Sequence, residues 1–427
     1  MQTLISWKND PERKPLLIRG ARQVGKTWLI REFGKKEYGE TVYINFESAK
    51  TLQSVFKEDY SIERIIKVLE IHSGMKIVPG STLIIFDEIQ EAPGGITSLK
   101  YFAEDAEEYH LIAAGSLGVA THKHTSFPVG KVGFLDLLPM SFEEYLLATG
   151  NTPLLELIET QDWAMMKTFR EKFIHLLRQY YFTGGMPEVV LSYSNHNDFQ
   201  EVREIQKRIL LAYEQDFSKH APPEIVPRIR MIWNSIPSQL ARENKKFIYG
   251  AVKSGSRAKD YELALEWLVD CGLVDKIYRV SKPGIPLKAY EDLSAFKLFI
   301  HDVGLLSAMS DLDVRTLIEG NAIFSEFKGA LTEQYVLQQL KTKKEIVIKY
   351  WSAERASAEI DFLIQHKGRI IPLEVKAEEN LKAKSLKSYY QKFSPPVSIR
   401  TSMSDFRNEG WLTNLPLYAI GEITGPH

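Results

Sequence analysis

Short apolar runs alternate with amphipathic stretches in the first part of the chain. Four runs rich in β-branched and aromatic residues lie at 16–18, 42–44, 83–86 and 111–113, and their length and composition are typical of buried strands. Amphipathic segments separate these runs. Because strands that alternate with helices form parallel sheets covered by helices, the pattern predicts an α/β domain, to which we assign residues 1–150.

The pattern becomes mainly helical beyond residue 139. Apolar residues recur at helical spacing over 142–147 and again over 169–181, and this spacing is typical of amphipathic helices. We therefore expect a helical lid over residues 151–225.

A further group of elements follows the expected lid. Residues 228–242 and 257–270 have the pattern of helices, and strand-like runs follow at 272–278 and 287–290. Two helices followed by a hairpin predict a winged-helix module, which we assign to residues 226–310.

The last part of the chain, 311–427, mixes one helical pattern with several strand-like runs. The helix is expected at 324–340, and the strands are expected at 346–350, 359–364, 370–375 and 417–420. We therefore predict a separate C-terminal domain with its own sheet.

The composition is that of a globular protein with several cores. The chain has 427 residues, 44% of them hydrophobic and 26% charged, which suits about two to four domains. Its single cysteine, Cys271, cannot form an internal disulfide and fits a reducing compartment. No segment has the ~18 apolar residues of a membrane span, and no secretory signal begins the chain. We therefore expect a cytoplasmic protein without membrane contact.

One segment carries a phosphate-binding pattern. It fits G-x-x-x-x-G-K-S/T in full, directly after the first expected strand and before an amphipathic helix. Backbone N–H groups of such a loop face phosphates, the lysine reaches the β and γ oxygens, and the hydroxyl binds Mg²⁺. The residues are Gly20, Ala21, Arg22, Gln23, Val24, Gly25, Lys26 and Thr27.

An acidic pair completes this candidate nucleotide site. Asp87 and Glu88 directly follow the apolar run 83–86. We expect Asp87 to position Mg²⁺ and Glu88 to polarise the attacking water as general base, an arrangement that favours ATP hydrolysis over a nucleotide switch without turnover.

Ser116 ends the fourth expected strand and is a candidate γ-phosphate sensor, with an ordinary turn serine as the alternative. The chain has no Asn-Lys-x-Asp sequence to read guanine. This absence argues against a GTPase and favours ATP.

These residues resemble a prokaryotic group of AAA+ ATPases that carry a C-terminal domain of unknown function. The resemblance is carried by RGARQVGKT at 19–27, FDEIQ at 86–90, GS at 115–116, LPMSFEEY at 138–145, YFTGGMPE at 181–188 and HDVGLL at 301–306. It implies ATP and Mg²⁺ as ligands and makes a homo-oligomer a candidate assembly. The last two motifs have no assigned chemistry.

The chain departs from this group where a Gly-Arg pair is expected. Gly130 is followed by Lys131, and Arg64 is the only arginine between Arg31 and Arg170. A lysine cannot make the bidentate contacts of an arginine finger. We therefore expect slow or partner-dependent hydrolysis, or an arginine supplied by Arg170 or Arg178.

The C-terminal region carries a second candidate site. Asp361, Glu374 and Lys376 form D-x12-E-x-K on two expected strands, a spacing that resembles the PD-(D/E)xK nuclease superfamily. Residues two apart in a strand share a face, so Glu374 and Lys376 are expected to point together. Asp361 and Glu374 could share a second divalent cation while Lys376 orients water.

Glu333, on the preceding helix, matches the additional helix acid of that superfamily, and Glu326 lies seven residues earlier. Three interpretations stay open at this point. The residues form an active nuclease site, an endonuclease-like fold that has lost catalysis and binds nucleic acid or protein, or the polar face of an ordinary sheet.

Local charge points to nucleic acid in two windows. Residues 365–392 hold seven Lys/Arg against three Asp/Glu, and residues 201–259 hold twelve against six. Such windows suit phosphate contacts. However, Glu262, Glu266 and Asp270 on the expected recognition helix would repel phosphates, so a protein-docking role stays an alternative there.

The predicted fold class is therefore α/β, with a P-loop AAA+ core, a helical lid, a winged-helix module and a C-terminal α/β endonuclease-like domain. The predicted function is a Mg²⁺-dependent ATPase that couples ATP to the nuclease-like domain in association with DNA. One alternative is a regulatory ATPase whose winged helix and inactive nuclease-like domain bind proteins. The other is an ATP-gated, metal-dependent DNA endonuclease.

Overall fold

The computed structural model describes residues 1–57, 59–115, 130–242, 245–319, 325–343, 345–353, 358–379 and 383–423. They divide into two compact units. The first comprises Met1–Leu138 with Asp270–Gly272, and the second comprises Pro139–Val269 with Leu273–His427.

The first unit is built on a parallel sheet. Its five strands lie in the order β2-β3-β4-β1-β5, and every neighbouring pair is parallel. The strands are β1 (Leu16–Arg19), β2 (Glu40–Asn45), β3 (Thr82–Asp87), β4 (His110–Ala114) and β5 (Gly133–Asp136). The helices are α1 (Gln2–Lys8), α2 (Lys26–Glu37), α3 (Ile62–Ser73) and α4 (Gly95–Asp105).

Alternation along the strands explains why both faces of this sheet are covered. In β3 all six residues are buried. Leu83 and Ile85 pack on one side with α1 and α2, whereas Ile84 and Phe86 pack on the other with α3 and α4. Successive strand residues point to opposite faces, so a continuously apolar strand needs helices on both. The predicted α/β core is confirmed.

The second unit begins with a long helical segment. Its helices are α5 (Phe142–Ala148), α6 (Thr152–Glu159), α7 (Trp163–Thr168), α8 (Arg170–Thr183), α9 (Pro187–His196), α10 (Phe199–His220), α11 (Val226–Leu240), α12 (Tyr249–Val252) and α13 (Ala258–Asp270). Three more helices follow, α14 (Val303–Met309), α15 (Val314–Glu319) and α16 (Ser325–Lys341), and α17 (Lys384–Phe393) lies near the end. Among the described residues, no helix has both the length and the apolar character to cross a membrane.

An eight-stranded mixed sheet completes the second unit. The strands are β6 (Val274–Val280), β7 (Glu291–Ile300), β8 (Val347–Ser352), β9 (Glu359–His366), β10 (Arg369–Val375), β11 (Ile399–Ser402), β12 (Arg407–Asn408) and β13 (Thr413–Pro416). Their order is β12-β13-β11-β10-β9-β8-β6-β7. Because β6 pairs with β8, the β6–β7 hairpin and the strands beyond residue 311 form one sheet.

Two expected strands of this unit lie elsewhere. Residues 287–290 form a short 3-10 helix, and the second hairpin strand is Glu291–Ile300. Residues 417–420 likewise belong to a 3-10 helix and follow the strand β13. β13 ends at Pro416, which lacks the backbone N–H that would continue the ladder. In both cases the apolar run packs into a core without pairing as a strand.

Candidate functional site

The loop between β1 and α2 has the geometry that the phosphate-binding pattern requires. Gly25 has φ 91° at the start of α2, a left-handed conformation that glycine adopts without strain. A Cβ on Gly20 would lie 2.3 Å from the carbonyl oxygen of Leu137. The two glycines therefore permit the tight turn and the close backbone approach, so that the loop curls over the N-terminus of α2.

Lys26 lies inside this loop. Its side chain is buried, and Nζ donates hydrogen bonds of 2.8 Å to the carbonyl oxygens of Gly20 and Ala21. Burial lowers the pKa of Lys26 to about 8, although Glu88 and Asp87 oppose this shift. The lysine is thus positioned in the phosphate loop and partly stripped of water.

Thr27 and Asp87 meet beside the loop. The Thr27 hydroxyl donates a 2.7 Å hydrogen bond to Asp87 Oδ2, and the Tyr43 hydroxyl donates one of 2.8 Å to the same oxygen. Hydroxyl and carboxylate oxygens are the ligands that Mg²⁺ accepts. The pair therefore fits a magnesium ion held with nucleotide phosphates.

Glu88 follows β3 in a left-handed conformation with φ 49°. Its backbone N–H donates to Asp87 Oδ1 over 3.1 Å, and its carboxylate accepts a hydrogen bond from the side-chain amide of Gln90. The amide oxygen of Gln90 is buried and has no hydrogen-bond partner among the described residues. These hydrogen bonds hold Glu88 next to Asp87.

Sequence reasoning missed Tyr43 and Gln90. Tyr43 lies on β2, whose last residue Asn45 is in register with Asp87, so the parallel pairing of β2 with β3 was the signal for its position. Gln90 stands two residues after Glu88 and offered no separate signal.

Other residues predicted for this site lie elsewhere or outside the described part of the chain. Ser116 lies outside the described residues. Lys131 forms an ion pair of 3.2 Å with Glu104. Arg170, in the second unit, pairs with carboxylates of Glu379 and Asp405.

A second group of predicted residues meets in the sheet of the second unit. Asp361 lies on β9, Glu374 on the adjacent strand β10, and Glu333 on α16. Asp361 Oδ2 accepts a 2.8 Å hydrogen bond from the N–H of Val375, and Glu374 lies 2.8 Å from Lys376 Nζ. The structure therefore brings the four predicted residues into one neighbourhood.

Two lysines missed by sequence reasoning also belong to this cluster. Lys297, on β7, is fully buried, and its Nζ lies 2.5 Å from Glu359, 3.4 Å from Glu333 and 3.9 Å from Asp361. Lys245 forms a short ion pair with Glu333. Neither lysine stands near the D-x12-E-x-K motif in sequence, which is why the motif did not reveal them.

The electrostatics of the cluster follow from burial and these pairings. Burial alone would raise the pKa of Glu333, but Lys245 and Lys297 outweigh it and lower that pKa. Burial and the neighbouring Glu333 raise the pKa of Asp361. Within the described ranges, no group of three or more His, Cys, Asp or Glu side chains has the geometry to hold a metal ion.

The regions that suggested nucleic-acid contact differ in exposure. Arg257, directly before α13, and Lys259 in its first turn are exposed, and so are Glu262 and Glu266 further along the helix. Lys384 and Lys387 project from the outer face of α17, whereas its Leu386 and Tyr389 pack into the core. The basic surface of α17 is therefore free of acidic neighbours on its own helix.

Comparison with known proteins gives three family matches. Residues 12–146 match the family described as AAA domain. Residues 174–316 match Domain of unknown function (DUF8612), and residues 328–420 match Domain of unknown function (DUF4143). No curated protein matches the chain.

Two solved structures are similar at low identity. The Walker-type ATPase PABY2304 of Pyrococcus abyssi is 16% identical over 70% of this chain and 92% of its own, with a TM-score of 0.43. The structure of Drosophila ORC bound to DNA is 13% identical over 75% and 94%, with a TM-score of 0.30.

The family match and the loop geometry define the class of the first unit. Residues 12–146 match the AAA domain family, and this match supports the predicted P-loop ATPase core. The loop with Lys26 and the pair formed by Thr27 and Asp87 are the candidate nucleotide site of this unit. The two other matched families carry no described activity.

Proposed function

We propose that the chain is a Mg²⁺-dependent ATPase in which Glu88 is the general base. The observation that carries this proposal is the hydrogen bond of 2.7 Å between Thr27 and Asp87, with Lys26 in the adjoining loop and Glu88 directly after Asp87. A P-loop that only bound nucleotide would need no carboxylate at position 88. The adjacent acidic pair therefore favours hydrolysis.

Each residue has a separate task in this proposal. The loop N–H groups and Lys26 bind the phosphates, and Thr27 and Asp87 hold Mg²⁺, which when bound neutralises phosphate charge. Tyr43 orients Asp87 through the shared oxygen. Glu88 accepts a proton from water while the amide of Gln90 holds its carboxylate in place.

The test is the replacement Glu88→Gln. We expect ATP turnover to fall about 10²-fold or more, because the base is lost, while ATP binding stays within about twofold. Turnover is measured by phosphate release and binding by a fluorescent ATP analogue. Glu91→Gln, which changes an acid in the same turn, should leave both unchanged. Undiminished turnover in Glu88→Gln would remove the base from the mechanism.

We further propose that the second unit binds nucleic-acid backbone through α17. Lys384 and Lys387 are exposed on its outer face, and Lys367 and Arg369 are exposed on the turn between β9 and β10. No ion pair engages these four side chains within the described part of the chain. Ile370, beside that turn, packs with Leu386 of α17. The four cations thus lie on neighbouring elements and suit phosphate contacts.

Charge reversal on α17 tests this second proposal. In Lys384→Glu/Lys387→Glu we expect weaker binding of duplex and single-stranded DNA at low salt, and a slope of log affinity against log salt that is smaller by about 2. Lys167→Glu/Lys172→Glu, which makes the same charge change on exposed lysines of α7 and α8, is the control. Equal DNA binding by wild type and both variants would contradict the α17 surface.

A specific observation also supports a protein-docking alternative for α13. The segment that would form the wing of the winged helix packs against the sheet. Leu287 is buried, and its N–H donates a 2.7 Å hydrogen bond to the side chain of Gln365 on β9. The exposed face of α13 carries Leu263 between Glu262 and Glu266. An apolar side chain flanked by acids suits a protein surface better than phosphates. No binding in a DNA panel, with ATP turnover intact, would favour this alternative.

A further inference from the structure

The buried acids of the second unit surround a lysine. Lys297 has no exposed surface, and its Nζ lies 2.5 Å from Glu359, 3.4 Å from Glu333 and 3.9 Å from Asp361. We propose that this ammonium group takes the place of the divalent cation that a nuclease would hold here, so that the domain does not cleave nucleic acid.

The negative charges of the cluster are largely compensated without a metal. Lys245 pairs with Glu333, and Lys376 pairs with Glu374. Lys297 lies between Glu359, Glu333 and Asp361, so that three ammonium groups and four carboxyl groups share this region. A divalent cation entering this space would meet the positive charge of Lys297 at short range, and repulsion between like charges in a buried site is strong.

Lys297 cannot readily leave the cluster. It is an inward-facing residue of β7, which pairs with β6 along its length, and its ammonium also lies 5.1 Å from the centre of the Tyr350 ring. An ammonium moved out of its carboxylate partners but still buried would lose its compensating charge. Displacement by a metal is therefore costly.

The carboxylate oxygens of the predicted nuclease site already have protein partners, with one exception. Asp361 Oδ2 is occupied by the N–H of Val375, and Glu374 Oε2 is the one carboxylate oxygen of the predicted site that is buried without a partner among the described residues. Mg²⁺ keeps several waters in proteins and binds through one or two carboxylates. A metal at Asp361 and Glu374 would therefore have to compete with the Val375 N–H and with the ammonium groups of Lys297 and Lys376 for these oxygens.

The inference goes beyond the proposed ATPase function and does not depend on it. It assigns to the C-terminal region a binding role without hydrolysis of the bound partner. An ion cluster between β7, β9 and α16 then serves to join these elements, and the surface of α17 stays available for nucleic acid.

The first arm of the test uses the wild-type protein, which is free of nucleotide for the metal-binding measurement. Mn²⁺ binding is followed by electron paramagnetic resonance, and cleavage is assayed on single-stranded, duplex and branched DNA with Mg²⁺ or Mn²⁺, with and without ATP. We expect no cleavage and no bound Mn²⁺ that depends on Asp361 or Glu374. Cleavage that is lost in Asp361→Asn, or Mn²⁺ binding that is lost in Glu374→Gln, would overturn the proposal.

The second arm removes the lysine. In Lys297→Met the acids lack their central cation, so we expect Mn²⁺ to bind at least about tenfold more tightly than to wild type and to raise the melting temperature. Lys349→Met, which removes a lysine paired with Glu291 on the same sheet, should show no such gain. A folded Lys297→Met protein without a Mn²⁺ response also overturns the proposal.

If Lys297→Met does not fold, the double variant Lys297→Met/Glu359→Gln is used in the second arm instead. It removes one acid together with the lysine. ATP turnover is measured on the same wild-type sample. Absence of turnover would count against the proposed ATPase function alone, because the Mn²⁺ and cleavage results report on the second unit.

Discussion

At the scale of single residues, Lys26 shows how the phosphate loop prepares for its ligand. Its ammonium group bonds to two backbone carbonyl oxygens and has lost most of its water. When nucleotide binds, negatively charged phosphate oxygens would take the place of the two carbonyl oxygens as partners of the ammonium group. Their negative charge stabilises the protonated form of Lys26. The lowered pKa of free Lys26 is therefore expected to rise when nucleotide binds.

This difference predicts a pH dependence of ATP binding. In the free protein the pKa of Lys26 is about 8, so the side chain is charged below pH 8 and loses its proton above it. Binding then requires proton uptake, and the dissociation constant for ATP should rise up to about tenfold between pH 8.5 and pH 9.5, with little change between pH 6 and pH 7. Calorimetric titration in buffers of different ionisation enthalpy measures both affinity and proton uptake.

The matched variant is Lys26→Arg. An arginine stays charged over this range, so whatever affinity remains should not depend on pH. A flat profile in the wild type, or a falling one in Lys26→Arg, would show that another group governs the pH dependence.

At the scale of elements, the two sequence motifs without assigned chemistry join parts of the second unit. Asp302, before α14, accepts hydrogen bonds from the N–H groups of Gly185 and Leu305 and from the amide of Gln338. The N–H of Met140 donates to the carbonyl oxygen of Gly185. Because Gly185 has no side chain, the backbone segments that contain Met140, Gly185 and Asp302 approach closely. The motifs YFTGGMPE and HDVGLL therefore contribute to packing within the second unit.

A substitution in this junction should therefore affect stability. A Cβ at position 185 would lie 2.0 Å from the carbonyl oxygen of Met140, and the backbone cannot shift without breaking the bonds to Asp302. We expect Gly185→Ala to lower the free energy of unfolding by roughly 3 kcal/mol, measured by urea denaturation.

The control is Gly250→Ala on α12, where a Cβ meets nothing within 4 Å. Because alanine favours a helix over glycine, this variant should be as stable as wild type or slightly more so. Similar stability of the two variants would mean that the junction relaxes around the added methyl group.

At the scale of the whole molecule, the continuous sheet of the second unit decides which segments fold together. β6 pairs with β8, and Lys297 on β7 has its carboxylate partners on α16 and β9. The segment before residue 311 thus contributes both a strand pairing and a buried charge to the segment after it. We infer that neither segment has a complete core alone.

A chain that ends at residue 310 tests this inference. It would expose the edge of β6 and leave Lys297 buried without partners, which is strongly unfavourable. We expect residues 139–310 of this truncated chain to be degraded by protease at least about tenfold faster than in the full chain, followed by mass spectrometry. ATP binding by the same sample reports separately on the first unit. Equal protease resistance would show that residues 139–310 are stable without the later strands.

The sequence by itself determined the local features of the first unit. Strand periodicity, the glycine and lysine pattern of the loop and the acidic pair after β3 are contained within short segments, and helices and strands form them by short-range rules. For this reason the phosphate site could be named residue by residue, with Lys26, Thr27 and Asp87 placed together as expected.

Only the tertiary structure decided what surrounds those residues. Tyr43 reaches Asp87 through the pairing of β2 with β3, and Lys297 reaches Glu333, Glu359 and Asp361 because β6 and β7 extend the C-terminal sheet. Strand pairing brings together residues that are far apart in the chain. A motif whose residues are close in sequence therefore does not show which cation lies between its acids in the fold. The D-x12-E-x-K pattern therefore located the acidic cluster, whereas the fold placed a lysine inside it.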